Sequence, residues 1–261
     1  MTIGIMTAMP EEVALLAREL AREAEHVHGG RTYCTGTLAG RRVVLVFSRM
    51  GKVAAAATAQ HLIDVHRVGS ILFSGVAGAL RPDLRIGDIV VGDRLWQHDM
   101  DASPLFAPLE IPLLKTSSFA TEDAIRNSLF SSAEAFLREG FDKEVASAAV
   151  AELGIRDPKV IRGDIASGDR FVSTHAERDA LRAKVPSAVC VEMEGGAVAQ
   201  VCFEHGIPLG VVRVISDGAG DGAHVDFGKF VRDAASRYGL GIIRRFLERG
   251  TPARDGASRA S

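Results

Sequence analysis

Short apolar runs rich in β-branched residues alternate along this chain with longer segments in which apolar residues recur at helical spacing. The runs predict buried strands, and the longer segments predict helices that pack on a sheet. The expected strands cover residues 2–7, 32–38, 42–47, 70–80, 84–91, 160–166, 189–191 and 209–215. The expected helices cover residues 10–25, 52–57, 121–153 with a break near Gly140, 176–185 and 226–249. This alternation is typical of an α/β domain.

The first helix has a recognisable start. Pro10 suits the first helical position, where its missing N–H would have had no partner, and Glu11 and Glu12 fall in the first turn. Acidic residues are favoured there by the helix dipole, so Glu12 taken alone indicates nothing more than a helix start.

Carboxylates follow two of the predicted buried strands. Glu192 and Glu194 come directly after the run 189–191, and Asp217 follows Ser216 at the end of the run 209–215. Acidic residues before a glycine are also ordinary turn chemistry, so either group alone has a structural explanation. Because open α/β sheets bind ligands beyond the carboxyl ends of their strands, the two groups together predict a site.

Composition limits the possible functions. With 261 residues, 47% hydrophobic, the chain can bury one large core, and we expect a single domain over 1–249 and a flexible tail over 250–261. The 31 basic and 33 acidic residues leave a net charge of −2, which gives no reason to expect nucleic acid as a partner. Three unevenly spaced cysteines among apolar neighbours indicate small core residues in a reducing compartment, with no disulfide framework, metal site or cofactor implied. No segment resembles a signal peptide or a membrane span, so a cytoplasmic location is expected.

A segment rich in proline, leucine and phenylalanine spans residues 103–120 without helical or strand periodicity. An apolar loop of this length either covers a pocket or packs on another subunit.

Several motifs together resemble the 5′-methylthioadenosine/S-adenosylhomocysteine nucleosidases of the purine nucleoside phosphorylase superfamily, from residue 3 to about residue 247. In chain order they are Gly4–Glu12, Gly51–Ala56, Ser74–Gly78, Gly87–Val90, His98–Asp101, Ser167–Asp169, Val191–Glu194 and Val212–Asp217. The resemblance implies a three-layer α/β/α fold around a mixed sheet. It also implies a homodimer in which the 103–114 loop closes the neighbour's pocket.

The resemblance further implies roles in the hydrolysis of a purine N-glycosidic bond. Asp217 would be the general acid facing the purine N7, with Ser216 orienting it. Glu12 would be the base that activates water. Glu194 would bind the ribose hydroxyls with help from the Met193 N–H, and Arg213 would hold the water and the carboxylates.

The remaining implied contacts concern the adenine and the 5′ group. Phe171 would stack on the adenine, and the Val172 backbone would contact its edge. Met9, Met50 and Phe227 match the alkylthio pocket, although core packing explains the two methionines about as well. Glu192 is expected to support the site without touching substrate.

Two positions depart from the family pattern. Val76 stands where many members have a serine that helps to hold the water, and Arg49 replaces a common glycine close to where phosphorylases collect phosphate ligands. A phosphate-dependent purine nucleoside phosphorylase, a futalosine-type hydrolase and a nucleoside-binding protein with impaired catalysis therefore remain alternatives. A carboxylate at Glu12 would repel phosphate, which favours water as the nucleophile.

Overall fold

The computed structural model describes residues 1–221 and 223–250, which contain a ten-stranded mixed sheet with helices on both faces. The strands are β1 (Ile3–Thr7), β2 (Ala21–His28), β3 (Arg31–Leu38), β4 (Arg41–Phe47), β5 (Ser70–Ala79), β6 (Ile89–Gln97), β7 (Ser118–Ala120), β8 (Val160–Ser167), β9 (Ala188–Glu192) and β10 (Leu209–Asp217). The helices are α1 (Pro10–Glu19), α2 (Lys52–Asp64), α3 (Asp123–Ala135), α4 (Phe141–Glu144), α5 (Ser147–Glu152), α6 (His175–Lys184), α7 (Gly195–His205), α8 (Ala223–Phe230) and α9 (Ser236–Arg249).

The sheet is partly closed on itself. Along it the order is β10-β6-β8-β9-β5-β1-β4-β3-β2, and β10 also pairs with β5, so five strands form a ring. β5 runs parallel to β1 and β10 but antiparallel to β9. Beyond the ring, the sheet continues from β5 through β1, β4 and β3 to the edge strand β2.

Most strands of the central sheet are buried on both faces. In β10, Val212 and Val214 belong to a cluster with α1, α3 and α9, whereas Val211 and Ile215 belong to one with α2 and α7. Successive side chains of a strand point to opposite faces, so the near-continuous apolar runs of the sequence follow from helices covering both sides. The predicted three-layer α/β/α arrangement is confirmed.

The first helix was predicted to extend to about Glu25, and this is wrong. α1 ends at Glu19, and residues 21–28 form the strand β2, paired antiparallel with β3. Its sequence is polar and every residue is exposed, so no apolar alternation marks it as a strand. Pairing with β3 overrides the helical preference of its alanine and glutamate residues, and its charges suit an exposed sheet edge.

Other boundaries differ less. The strand expected over 84–91 begins only at Ile89, after a turn at Gly87, and continues to Gln97. Five-residue π-helical segments follow α3 and α8, the first of them at the predicted break near Gly140. Of the expected tail, 251–261 lies outside the described residues. Among the described residues, no helix is both long enough and apolar enough to cross a membrane.

Candidate active site

One residue of β5 explains why distant carboxylates come together. Gly78 pairs with Asp217 of the parallel strand β10 and with Val191 of the antiparallel strand β9. The carboxyl ends of β9 and β10 therefore meet on either side of the end of β5. Glu192, Glu194 and Asp217 consequently lie at one rim although they come from separate strands.

A cavity of about 400 Å³ opens at this rim, a volume within the usual range for small-molecule sites. All the residues predicted to form the site line it: Met9, Glu12, Met50, Val76, Phe171, Val172, Glu192, Met193, Glu194, Arg213, Ser216, Asp217 and Phe227. Two polar residues that the sequence did not single out, Arg170 and His224, also line it.

Glu12 reaches the cavity from the first turn of α1 and is 4% exposed. Its Oε2 accepts the N–H groups of Ala8 and Met9, each at 2.9 Å, and its Oε1 accepts the Val76 N–H at 3.1 Å. Burial raises the pKa of Glu12, while Arg213 and these three hydrogen bonds oppose that rise. Oε1 has only one protein donor and so keeps a lone pair for a water molecule.

Gly75 makes room for that oxygen. A β-carbon at position 75 would lie 3.0 Å from Glu12 Oε1 and 3.4 Å from Arg213 Nη1. The glycine lets the strand backbone pass close beneath both charged groups.

Arg213 and Glu192 form the buried ionic centre of the site. Arg213 Nη2 donates to Glu192 Oε2 at 2.7 Å, and Nη1 donates to the carbonyl oxygens of Phe73 and Val212. The guanidinium lies 4.1 Å from the Phe73 ring centroid. Arg213 thus contacts Glu192 directly and acts on Glu12 through charge alone.

Glu192 also fixes the start of α7. Its carboxylate accepts the N–H groups of Glu194 and Gly195 and the hydroxyl of Ser167, whose Oγ accepts the Gly196 N–H at 2.7 Å. Helix N-termini attract acidic groups, and this carboxylate binds the free N–H groups at the start of α7. These contacts anchor Glu192 to Arg213, Ser167 and the start of α7, and the residue also lines the cavity.

Glu194 is 5% exposed and makes a hydrogen bond with a residue that lies far from it in the sequence. Its Oε1 accepts the Gly51 N–H at 2.8 Å, where Gly51 precedes α2. Burial raises the pKa of Glu194, and the neighbouring negative charge of Glu192 raises it further. Glu194 also lines the cavity.

Asp217 ends β10 and is 2% exposed. Its Oδ1 accepts the Ala219 N–H at 2.8 Å, and its Oδ2 accepts the Ser216 hydroxyl at 2.9 Å. Burial raises the pKa of Asp217, the two hydrogen bonds lower it, and the negative charge of Asp226 raises it again. A carboxyl group with a raised pKa can carry a proton to a substrate near neutral pH.

The rest of the cavity is apolar. Phe171, 37% exposed, and Phe227 meet edge to face with ring centroids 5.5 Å apart. Met50 is 60% exposed, so core packing does not account for it. Nothing in the sequence singled out His224, because the predicted helix began only at Asp226, whereas Arg170 adjoins the predicted stacking residue Phe171.

Comparison with known proteins decides the family. The profile of the phosphorylase superfamily matches residues 2–248. A 5′-methylthioadenosine/S-adenosylhomocysteine nucleosidase of Anoxybacillus flavithermus is 34% identical over 236 residues, which cover 90% of this chain and 93% of that protein. This chain belongs to that nucleosidase family. The enzyme of this family from Neisseria meningitidis, in complex with methylthio-immucillin-A, superimposes with a TM-score of 0.83 at 28% identity, covering 95% of this chain and 99% of the other.

A second kind of family neighbour is a hydrolase of a different nucleoside. The futalosine hydrolase of Helicobacter pylori has a TM-score of 0.78 at 30% identity and covers 95% of this chain and 97% of its own. Fold likeness alone therefore does not separate these two nucleosidase activities.

Arg49, the possible phosphate ligand, points elsewhere. It is exposed, its Nη2 donates to the Gly30 carbonyl oxygen at 2.6 Å, and it does not line the cavity. The buried cation of the cavity, Arg213, is already paired with Glu192. This arrangement does not favour a phosphate site.

Proposed function

We propose that this protein hydrolyses the N-glycosidic bond of 5′-methylthioadenosine and S-adenosylhomocysteine and releases adenine. The observation that carries the proposal is the convergence of Glu12, Glu194 and Asp217, all buried and all with raised pKa values, on one cavity of a nucleosidase-family chain. Cleavage of this bond needs a protonated leaving group, a stabilised ribosyl cation and a positioned water molecule.

Asp217 is the proposed general acid. It gives its proton to purine N7 as the bond between C1′ and N9 breaks and the bonding electrons pass to the purine. Burial keeps the proton available, and the Ser216 hydroxyl and the Ala219 N–H fix the orientation of the carboxyl group.

Glu12 is the proposed base. The lone pair left on Oε1 holds the water molecule, which adds to C1′ and transfers a proton to the carboxylate. Hydrogen bonds from Ala8, Met9 and Val76 keep this carboxylate in place. The products are adenine and a ribose that carries the 5′-thio group.

Glu194 is the proposed ribose ligand. A carboxylate that accepts two hydroxyl hydrogen bonds stabilises positive charge as it develops on the sugar. The Met193 N–H assists it, Phe171 stacks on the adenine, and the Val172 backbone contacts the adenine edge.

The 5′ substituent is proposed to lie among Met9, Met50 and Phe227, since polarizable thioether and aromatic groups suit a thioether ligand. Arg170, whose side chain is 77% exposed and pairs with Glu177, and His224 would then meet the amino acid end of S-adenosylhomocysteine.

We also propose that the chain forms a homodimer. Leu105 and Leu113 are 83% and 84% exposed, and no residue of 103–114 lines the cavity of its own chain. Two such exposed leucines on one loop favour burial against a second copy, where the loop would close the neighbour's pocket.

Release of free base tests the proposed function. The protein is incubated with methylthioadenosine, S-adenosylhomocysteine, adenosine, inosine and futalosine, each with and without phosphate. We expect adenine from the first two substrates at a rate that phosphate does not change. Phosphate-dependent release would indicate a phosphorylase, and binding without release would indicate a nucleoside-binding protein.

A futalosine hydrolase is the second candidate, favoured by the Helicobacter pylori neighbour. Turnover of futalosine with a kcat/KM above that of methylthioadenosine would replace the proposed substrate and leave the proposed chemistry unchanged.

A further inference from the structure

Four histidines gather between the edge strand β2 and the carboxyl end of α2, away from the cavity. His26 and His28 lie two residues apart and so share one face of β2. His61 lies in the last turn of α2, and His66 follows that helix. We refer to His26, His28 and His61 as the histidine cluster and treat His66 as its neighbour.

The cluster has the dimensions of a metal site. One ring nitrogen from each of its three histidines lies within 4.8 Å of the other two. A zinc-type ion bound by imidazoles at 2.0–2.1 Å brings its nitrogen ligands to about 3.3 Å from one another. His26 and His28 are exposed, so side-chain rotation on the protein surface can close that difference without moving the core.

Among the described residues, one ring nitrogen of the inner histidine has no hydrogen-bond partner. His61 is only 9% exposed, and its Nε2 is buried without a hydrogen-bond partner, as is Nε2 of His66. A buried polar atom left unpaired costs free energy, and metal coordination would satisfy it. The Tyr33 ring, 4.5 Å from the ring of His61, closes the cluster on the sheet side.

We propose that His26, His28 and His61 bind one divalent transition-metal ion of the zinc type, with solvent or His66 completing its coordination. Imidazole nitrogen suits zinc, copper and nickel, and disfavours magnesium and calcium, which prefer oxygen ligands.

Such an ion would increase the stability of the folded protein. Within the described part of the chain, β2 pairs only with β3, and all of its residues are exposed. An ion shared by β2 and α2 would tie this edge strand to a helix of the core. The site is separate from the catalytic cavity, because His61 lies ten residues along α2 from Gly51, about 15 Å at 1.5 Å per residue.

The test uses the untagged full chain, stripped with a chelator and dialysed into metal-free buffer. Zinc binding is measured by calorimetry for the wild type, for the double variant His26→Ala/His28→Ala, and for His205→Ala. His205 is an exposed histidine paired with Gln60 outside the cluster, so it is a matched control for surface histidines. Both substitutions of the double variant fall on exposed side chains, and circular dichroism and nucleosidase turnover check that it folds.

We expect one zinc ion per chain in the wild type and in the control, and at least about 100-fold weaker binding in the double variant, because even the loss of an outer-shell partner costs 10–100-fold. Zinc should raise Tm in the two proteins that bind it, and cobalt should give a visible absorption spectrum of tetrahedral or five-coordinate nitrogen ligation. Magnesium should do neither. Absence of zinc binding by the wild type, or equal binding by the double variant, would overturn the proposal.

Discussion

Arg213 and Glu192 form a 2.7 Å ion pair whose side chains are 1% and 3% exposed. Removing one member of a buried pair leaves the other charge uncompensated, at a cost of about 3–5 kcal/mol. Arg213→Met should therefore lower the free energy of unfolding by about that amount in urea denaturation at pH 7.

The exposed pair Arg42–Glu23 is the control for this prediction, since its side chains are 57% and 45% exposed. Arg42→Met should cost at most about 1 kcal/mol. Equal losses of unfolding free energy in the two variants would show that burial does not increase the cost of breaking the ion pair.

Gly78 has no room for a side chain. A β-carbon there would lie 2.8 Å from Asp217 Oδ1 and 2.9 Å from the β-carbon of Ala219. Gly78→Ala should displace the acid and lower kcat by about 100-fold, since errors of about 1 Å in a catalytic group have effects of that size. Gly218→Ala adds the same methyl group at a position where no atom of the described residues, other than the glycine and its two neighbours, lies within 4 Å, and it should leave kcat nearly unchanged.

Asp217→Asn should lower kcat by about 10²–10⁴-fold, the usual contribution of a general acid, while the protein stays folded. Near-normal turnover in this variant would remove Asp217 from that role. The kcat of the variant is measured from the steady-state release of adenine.

Asp226→Asn tests how a neighbouring charge affects the pKa of Asp217, and it leaves Asp217 itself unchanged. The negative charge of Asp226 raises the pKa of Asp217, so its removal should lower that pKa. The acid must be protonated to act, and activity is lost as pH rises through its pKa. The alkaline limb of the pH profile of kcat/KM should thus move to lower pH, and a shift to higher pH would contradict the assignment.

The sequence indicated which residues line the cavity but not which contacts they make. Glu12, Glu194 and Asp217 were singled out because each stands in a short motif at an element boundary. The hydrogen bond from Gly51 to Glu194 joins residues 143 positions apart, and no local pattern encodes such a pairing. It depends on the spatial order of the sheet, in which β5 and β1 lie between β9, which precedes Glu194, and β4, which precedes Gly51.

The edge strand β2 shows a different limit. Its alanines and glutamates favour a helix, and only pairing with β3 makes it a strand. With 21–28 assigned to a helix, His26 and His28 carried no sign that they share a face or approach His61. An error in one polar element thus concealed the histidine cluster.

At neutral and higher pH, the buried carboxyl group of Glu194 is expected to reduce the stability of the folded protein. Its folded-state pKa is raised above the ordinary value of 4.5 by burial and by Glu192. Its contribution to stability is thus fully present below pH 4.5 and is lost as pH rises toward its folded-state pKa. Glu194→Gln should raise Tm at pH 8, and the gain should shrink toward pH 4. Glu23→Gln, the same substitution at an exposed position, is the control for the loss of a carboxyl group at the surface.

A substitution at Val76 is expected to raise kcat. Its N–H donates to Glu12 Oε1, and the residue lines the cavity. Val76→Ser would place a hydroxyl beside the proposed water molecule. One added hydrogen bond of about 0.5–1.5 kcal/mol should raise kcat by about 2- to 12-fold if it forms in the transition state.

The same change removes methyl groups that pack against the core, so the serine variant should also have a lower Tm. Val76→Ala is the matched control, because it loses those methyl groups without gaining a hydroxyl. The alanine variant should have the lower Tm, measured by thermal unfolding. It should not have the higher kcat, measured by adenine release. If the alanine and serine variants turn over at the same rate, position 76 does not contact the attacking water, and the hydrogen bonds of Glu12 alone must hold it.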